Sequence, residues 1–311
     1  MNHFYFFISL LSICFNLTAV LPSEHDDVVL VTVSDDRSGR KEGKYSLTQD
    51  KIETLFKNNP QFGIKRFRMW KWAKIVKTSY YKENKSLFDN PQPDMNGRAY
   101  KPIAIYESLK ELKNGEFLIY TDSSPEMWSA FTEKSDLSPK IYDLNVIKNL
   151  CRQNNNILTV HVKWDFGSGF VKQGEPGKHT HANFTLDRCI KKMNLWQYRE
   201  GLQHASGMWV ICKNDETLRF VEEWLYWNLI PDCASLGHPE ILNDYTFWVE
   251  EKNKKIGHRH DQSISGLLIN RMGNNLIEIP LDMLGFHPYN FLQFTRKNVN
   301  YTFINSNITI K

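Results

Sequence analysis

Residues 117–124 read Phe-Leu-Ile-Tyr-Thr-Asp-Ser-Ser, an apolar run that ends in an acidic, hydroxyl-rich turn. A short apolar run bounded by polar turn residues is typical of a buried strand. The pattern places Asp122 at the carboxyl end of that strand, where open α/β sheets bind their ligands. We therefore predict that Asp122 contacts a ligand. The alternative is an ordinary turn aspartate that caps the next segment.

A second polar cluster, His-Arg-His-Asp-Gln at residues 258–262, directly precedes an apolar helical stretch. An aspartate near a helix start can accept a proton, and a neighbouring histidine can bind a metal or contact phosphate. The simpler alternative is an N-capping aspartate flanked by two surface histidines. Taken with Asp122, the cluster predicts an enzyme that acts on a phosphorylated or sugar-like ligand.

Strand and helix patterns alternate along most of the chain. Strands are predicted at residues 26–33, 64–72, 117–121, 157–162 and 205–212, and helices at 47–58, 100–112, 144–152, 186–193, 217–229 and 263–272. This alternation favours an α/β fold with a mostly parallel sheet covered by helices on both faces. Residues 80–97, rich in Asn, Asp and Pro, predict a surface loop. No linker divides the chain, so we expect one Rossmann-like domain at 26–290 and a tail at 291–311.

Composition indicates a globular protein whose mild basic excess fits a small anionic ligand but does not specify one. The 311 residues are 41% hydrophobic and include nine tryptophans, enough for a large core. The net charge of +4 comes from 39 basic and 35 acidic residues. Because the basic residues are dispersed and lack helix-turn-helix or zinc-finger spacing, we do not expect nucleic acid as the main partner.

The N-terminus contains a nearly uninterrupted apolar run at residues 4–20. We expect residues 1–21 to be either a cleaved signal peptide or a signal anchor that keeps residues 4–20 in the membrane. A buried core helix is the remaining alternative. Either targeting segment sends the body of the protein into the secretory pathway, as a single-pass type II protein of the ER or Golgi lumen or as a secreted protein.

Glycosylation sequons and cysteines are consistent with that location. Beyond the apolar run, Asn-x-Ser/Thr sequons occur at Asn84, Asn183, Asn300 and Asn307. The cysteines outside the apolar run are Cys151, Cys189, Cys212 and Cys233. In an oxidising compartment these cysteines can form two disulfides in any of three pairings, and buried free thiols are the alternative.

Further residues are candidates for binding an anion. Lys101 precedes Pro102 at a predicted helix start, where a cation and free backbone N–H groups attract phosphate. Arg66 and Arg68 lie on a predicted strand and can reach the same anion, although solvated side chains are the default for both. Ser206-Gly207 interrupts a predicted strand, and the glycine permits a ligand to approach the backbone closely.

A second His-x-His pair occurs at His179 and His181. With His258 and His260 it can form a metal site, which would make the protein a metal-dependent hydrolase. A polar surface loop is the simpler interpretation of the pair.

The order of these motifs resembles GT-A-type glycosyltransferases, particularly a loosely characterised group from bacterial polysaccharide clusters, large viruses and some eukaryotes. The resemblance extends over residues 28–272. It rests on Tyr100-Lys-Pro102, on the strand from Gly115 to Ser124, on Ala205-Ser-Gly207, on Lys213-Asn214 followed by Phe220-Val-Glu-Glu-Trp224, and on the segment from His258 to Ser263.

This resemblance implies a single GT-A domain that transfers a sugar from a nucleotide-sugar donor to a glycan or glycoprotein acceptor. The implied donor-binding residues are Thr32, Asp35, Arg66, Lys101, Asp122, Ser124, Ser206 and Gly207. Thr32 and Asp35 would border the nucleotide base. Asp261 and Gln262 would lie near the anomeric carbon or the acceptor.

The chain departs from the family's D-x-D motif because Ser124 replaces the second aspartate. A divalent cation, Mn²⁺ or Mg²⁺, would be held by Asp122 with His258 and His260. Neutralisation of the diphosphate by Lys101 and the arginines is the alternative.

The mechanism predicted from these residues has two parts. Asp122 with a metal, aided by Lys101, stabilises the leaving group, and Asp261 deprotonates the acceptor hydroxyl in an inverting reaction. In a retaining reaction Asp261 and Gln262 instead shape the acceptor face. The rival function is a non-catalytic, lectin-like secretory protein of the same fold.

Overall fold

The structure is a computed structural model that describes residues 27–37, 43–60, 63–89, 98–124, 144–159, 180–234 and 260–273. Its strands are β1 Val28–Ser34, β2 Arg66–Lys71, β3 Phe117–Thr121, β4 Ile157–Leu158 and β5 Met208–Cys212. They form one sheet in the order β2-β1-β3-β5-β4.

The sheet is mostly parallel with one reversed strand. β1 pairs in parallel with β2 on one side and with β3 on the other. β5 runs antiparallel to both β3 and β4. Every residue of β1 is buried, as expected for a strand covered on both faces. The predicted α/β class with a mostly parallel sheet is confirmed, and the arrangement is compatible with a Rossmann-like fold.

Helices occupy both faces of this sheet. They are α1 Lys44–Lys57, α2 Trp72–Ile75, α3 Ser79–Glu83, α4 Lys85–Phe88, α5 Tyr100–Lys110, α6 Leu144–Gln153, α7 His181–Phe184, α8 Asp187–Lys192, α9 Asp215–Leu229, α10 Pro231–Ala234 and α11 Asp261–Met272. A 3₁₀ turn spans Trp196–Tyr198.

Side-chain alternation along β1 shows which helices lie on which face. Thr32 receives a hydrogen bond from Gln49 of α1. The alternate residues Val31 and Val33 instead join a core that contains residues of α5, α9 and α11. α6 lies on the α1 face, because its Lys148 ammonium is 5.3 Å from the ring centroid of Phe117, which faces away from that core. The two faces follow from the period-two alternation of a strand.

Some predicted boundaries were wrong for local reasons. The predicted loop at 80–97 contains α3 and α4 in its first part, where the Thr78 side chain caps α3 by accepting from the backbone N of Tyr81, and where Phe88 is buried. α9 begins before Thr217 because Asn214 caps it, and the side chains of Asn214 and Thr217 each accept from the other's backbone N–H. β5 begins at Met208, so Ser206 and Gly207 precede the strand rather than interrupt it.

Other sequence predictions lie outside the described residues: the leader at 1–21, the tail at 291–311 and the sequons Asn300 and Asn307. Among the helices that the structure does describe, none combines the length and apolar character needed to cross a bilayer.

Gly266 allows α11 to pack closely against α7. A Cβ atom at this position would lie 2.8 Å from Cε1 of His181 and 3.3 Å from the backbone N of His204. The His181 ring cannot easily move, because it is fully buried and its Nδ1 lies 2.9 Å from Oγ1 of Thr185. A glycine is therefore required here by close packing rather than by backbone conformation.

We expect Gly266→Ala to lower the free energy of unfolding by about 1–3 kcal/mol because of overpacking. In an exposed helix, by contrast, replacing glycine by alanine raises the free energy of unfolding by about 1 kcal/mol. Urea denaturation of the variant measures the effect. Adding His181→Ala removes the clash, so the two losses should not add; additive losses would show that the contact is not the cause.

Candidate functional site

The candidate site lies at the carboxyl ends of β1 and β3. The chain passes from β1 to β2 on one side of the sheet and then returns to β3 on the other side, so the strand order reverses between β1 and β3. In open α/β sheets such a switch point leaves a crevice that binds ligands. The two strand ends are joined here, because Ser123 Oγ donates a hydrogen bond to the carbonyl oxygen of Val33 over 2.7 Å.

The ammonium of Lys101 is the centre of the site. Its Nζ lies 2.8 Å from Oδ2 of Asp261 and 3.2 Å from Oδ1 of Asp122. It also donates to the carbonyl oxygen and to Oγ of Ser206, over 3.2 and 3.1 Å. The Lys101 side chain is only 5% exposed. One cation thus holds together α5, the end of β3, the segment before β5 and the start of α11.

The local sequence explains the position of Lys101. α5 begins at Tyr100, so Lys101 and Pro102 occupy its first turn. Proline is tolerated there because the first N–H groups of a helix have no intrahelical acceptor. Burial disfavours the ammonium, but the carboxylates of Asp122 and Asp261 outweigh burial and raise the pKa of Lys101 above its ordinary value. Lys101 is therefore charged at physiological pH.

Asp122 is fixed by neighbours on both sides and still faces solvent. Its backbone N donates to the carbonyl oxygen of Gly207 over 2.9 Å. The hydroxyl of Tyr120 donates to Oδ1 of Asp122 over 2.6 Å. The Asp122 side chain is 29% exposed, whereas that of Asp261 is 3% exposed. Of the two carboxylates, Asp122 is the one that a ligand can reach directly.

Asp261 is buried at the first turn of α11. The indole Nε1 of Trp224 donates to its backbone carbonyl over 3.0 Å, which joins α9 to the start of α11. Burial opposes ionisation, but the positive charges of Lys101 and Arg98 outweigh it and hold the pKa of the Asp261 carboxyl below its usual value. The N-terminal end of the helix dipole adds to this effect. Asp261 is therefore a charged and weakly basic carboxylate.

The residue before α11 has an unusual backbone. His260 is buried and adopts φ 47° and ψ −119°, a combination that is strained for a residue with a Cβ atom. Such strain concentrates at functional sites, where the surrounding structure maintains it. It therefore supports the assignment of this region as a site.

A buried amide network lies behind Asp261. Nε2 of Gln262 donates to Oε1 of Gln203 over 3.0 Å. Nε2 of Gln203 in turn donates to Oγ of Ser263 and to Oγ1 of Thr185. The amide nitrogen of Gln262 is thus engaged in holding α11 against α7.

Two predicted donor-binding residues lie elsewhere. Arg66 forms an ion pair of 2.7 Å with Glu116 at the amino edge of the sheet. The strand register places Arg66 beside Val29 of β1 and, across β1, level with Leu118 of β3. Leu118 precedes Asp122 by four residues, or about 13 Å along the strand. Arg68 pairs with Glu111 rather than with the cluster. In this structure both predicted arginines are therefore paired with glutamates and not with the groups around Lys101.

The two residues predicted to border the nucleotide base already have partners. Thr32 is fully buried on the α1 face, where Gln49 donates to its Oγ1 over 2.7 Å. Asp35 lies at the carboxyl end of β1, but both of its carboxylate oxygens accept from Arg37 at 2.6 Å. The Arg37 guanidinium is stacked 4.3 Å from the ring centroid of Trp72. Asp35 therefore lies at the carboxyl edge of the sheet, whereas Thr32 lies below the surface. Ser124, half-buried, follows Asp122 at the same edge.

The predicted metal ligands are only partly described. His258 and His179 lie outside the described residues. His181, expected in a surface loop, is fully buried and starts α7, so that interpretation was wrong. Among the described residues, no three His, Cys, Asp or Glu side chains are grouped to hold a metal ion. Of the predicted metal ligands that the structure describes, Asp122 has a partly exposed carboxylate and His260 is buried.

Three further residues around the site were not predicted from the sequence: Tyr120, Arg98 and Gln203. Tyr120 precedes Asp122 by two residues, so the alternation of a strand places both side chains on one face. Burial and the charge of Asp122 raise the pKa of Tyr120 well above 10, which keeps its hydroxyl protonated as a hydrogen-bond donor. That alternation was the signal that could have identified Tyr120. Arg98 and Gln203 act through contacts distant in sequence and had no such signal.

Comparisons of the chain with family profiles, with curated proteins and with solved structures find no match.

Proposed function

We propose that the protein is a glycosyltransferase that uses a nucleotide-sugar donor and acts on a glycan or glycoprotein acceptor. One observation carries the proposal: a solvent-facing carboxylate, Asp122, is locked at the β1–β3 switch point by the buried Lys101 ammonium. Such crevices bind nucleotides in open α/β sheets. The motif resemblance to GT-A enzymes supplies the reaction class.

In this proposal Asp122 binds the donor. The Tyr120 hydroxyl and the Lys101 ammonium fix the carboxylate orientation, and its exposed edge accepts hydrogen bonds from hydroxyls of the donor. Preorganised groups of this kind stabilise a transition state without reorganising during the reaction. Ser206 and Gly207 lie on the β5 side of this pair, which they contact through their backbone carbonyls.

A divalent cation fits the site as an auxiliary. Asp122 would be its protein ligand, and Ser124, in place of a second aspartate, offers a hydroxyl without charge. When bound, the ion neutralises the charge that develops on the diphosphate leaving group. The Lys101 ammonium, 3.2 Å from Asp122 Oδ1, contributes positive charge at the same place without a metal.

Asp261 has a different role in this proposal from that of the base predicted from sequence. Its carboxylate is 3% exposed, and Oδ2 lies 2.8 Å from Lys101 Nζ. A buried carboxylate with a lowered pKa is a poor proton acceptor at neutral pH. We infer that Asp261 positions Lys101, and that this arrangement fits a retaining reaction better than an inverting one.

The burial of Asp261 and its lowered pKa also favour one alternative function. If no basic group accepts the acceptor proton, the fold can bind a sugar ligand without transferring it. The non-catalytic, lectin-like hypothesis from the sequence therefore remains the second candidate. The hydrolase hypothesis loses support, because His181, one of its four histidines, is buried and in contact with Thr185.

The test measures nucleoside diphosphate release from a panel of nucleotide sugars, with and without Mn²⁺ or Mg²⁺. The purified full chain should release nucleotide from one donor and faster when a glycan mixture is present. A parallel arm measures binding of the same donors by calorimetry and of free glycans on an array. Glycan binding without donor binding or turnover would favour the lectin-like alternative. No donor binding in any condition would refute the proposed enzyme.

A further inference from the structure

Cys189 and Cys233 meet where two short helices pack together. Cys189 lies in α8 and Cys233 in α10, and these helices contact each other. Both side chains are fully buried in the core on the α5 face of the sheet. The two cysteines are 44 positions apart in the chain, so their proximity arises from the tertiary fold.

The residues around the two cysteines hold the helices in register. Nε of Arg188 donates to the backbone carbonyl of Asp232 over 3.2 Å, and Nζ of Lys192 lies 3.7 Å from Oδ2 of Asp232. Sγ of Cys189 donates to Sδ of Met193 over 3.7 Å, and both Cys189 and Cys233 are free thiols in this structure. Burial raises the pKa of Cys189 well above its ordinary value, and the neighbouring Cys233 thiol raises it further. The two cysteines are therefore neighbours in the packed contact between α8 and α10.

The sheet separates this pair from the other two cysteines. On β5, Trp209 and Ile211 point into the core that contains Cys189 and Cys233. Cys212 belongs to the alternate set, and its Sγ donates to the carbonyl of Gly115.

Cys151 lies on that same opposite face, in α6, and its Sγ donates to the carbonyl of Val210 over 3.4 Å. Two of the three pairings that four cysteines allow would require disulfides that cross the sheet. The pairing that remains joins Cys189 to Cys233.

We propose that Cys189 and Cys233 form a disulfide that fastens α8 to α10. The two thiols lose two protons and two electrons as the S–S bond forms. A disulfide oxidant, such as glutathione disulfide or an oxidised thiol–disulfide oxidoreductase, accepts them and is reduced to two thiols. This inference does not depend on the proposed function, because it concerns the packing of α8 and α10 alone.

The bridge secures part of the scaffold behind the candidate site. α10 follows α9 directly, and α9 carries Trp224, whose indole binds the backbone of Asp261. A disulfide that closes a long loop stabilises the native state mainly by restricting the unfolded chain. Oxidation should therefore raise the melting temperature.

The experiment unfolds the reduced, full-length chain and refolds it with a mixture of reduced and oxidised glutathione, so that the oxidant reaches the thiols before folding buries them. Acid quenching, unfolding in the presence of N-ethylmaleimide and digestion without reductant then precede mass spectrometry. We expect a cross-linked peptide that joins Cys189 to Cys233, and a rise in melting temperature of about 5–10 °C that reductant reverses.

Two variants provide the controls. Cys151→Ser removes a buried thiol on the opposite face and should keep both the cross-link and the temperature rise. Cys189→Ser should abolish both; if that variant does not fold, the peptide map of the unaltered chain decides alone. N-ethylmaleimide on both Cys189 and Cys233, or a cross-link from Cys189 to Cys151 or Cys212, would overturn the proposal.

Discussion

Replacing Lys101 by methionine is expected to lower the free energy of unfolding by about 3–5 kcal/mol, the usual cost of leaving a buried charge without its partner. Lys101 is 5% exposed and its Nζ lies 2.8 Å from the buried carboxylate of Asp261. Methionine retains the apolar part of the lysine side chain and lacks only the terminal ammonium, so the loss reports mainly the missing charge. Urea denaturation measures it.

The double variant Lys101→Met/Asp261→Asn is the matched control. It removes both charges of the buried pair, so it should be more stable than Lys101→Met by at least about 1 kcal/mol. If the double variant is instead the sum of two single losses, the ion pair is not what holds α5 to α11.

The pH dependence of this destabilisation follows from two pKa shifts. The folded-state pKa of Asp261 is lowered and that of Lys101 is raised. The pair therefore contributes fully between about pH 4 and pH 10, the values of the unfolded groups. The Asp261 contribution is lost as pH falls through its lowered folded pKa. The difference between the unaltered chain and Lys101→Met should accordingly shrink in acid.

Replacing Asp122 by asparagine should lower kcat/KM for the preferred nucleotide sugar by about 10²–10³-fold, as expected when a preorganised charged group is lost from a site. Asparagine can still accept the Tyr120 hydrogen bond, and the side chain is 29% exposed. We therefore expect a stability change of only about 1 kcal/mol or less. Steady-state kinetics together with urea denaturation separate the two effects.

Arg66→Gln is the matched control for Asp122→Asn. It also removes one charge at a strand terminus of the same sheet, but at the amino edge, where Arg66 pairs with Glu116 over 2.7 Å. Such a partly exposed pair contributes about 0–1 kcal/mol to stability. Arg66→Gln should leave kcat/KM unchanged. Equal losses in the two variants would mean that the site is not at the carboxyl edge.

Much of the fold was predictable because local patterns are strong in the buried elements. β1 and β3 are mostly apolar, and each predicted helix overlaps an observed one. The reversed direction of β5 was not predictable, because alternation in a strand carries no information about its direction. α3 was missed because the capping role of Thr78 was outweighed by the polar composition of the segment.

The residues that belong to the site were more predictable than the contacts between them. Lys101, Asp122, Ser206 and Asp261 were all candidates, and the structure brings the four together. The sequence could not show that Lys101 lies between the two carboxylates, because these contacts join segments far apart in the chain. Nor could it show that Asp261 is buried, and this burial is the reason that we propose a positioning role for Asp261 instead of a basic one.

Hydrogen–deuterium exchange of the full chain, with and without each nucleotide-sugar donor, would locate the donor site. We expect one donor to slow exchange in the peptides that surround Lys101, which cover residues 98–102, 120–124, 205–208 and 260–263. Peptides at the amino edge, covering 64–68 and 113–117, should exchange at the same rate in both states. Slowed exchange only at the amino edge, or no change with any donor, would contradict a nucleotide-sugar site between β1 and β3.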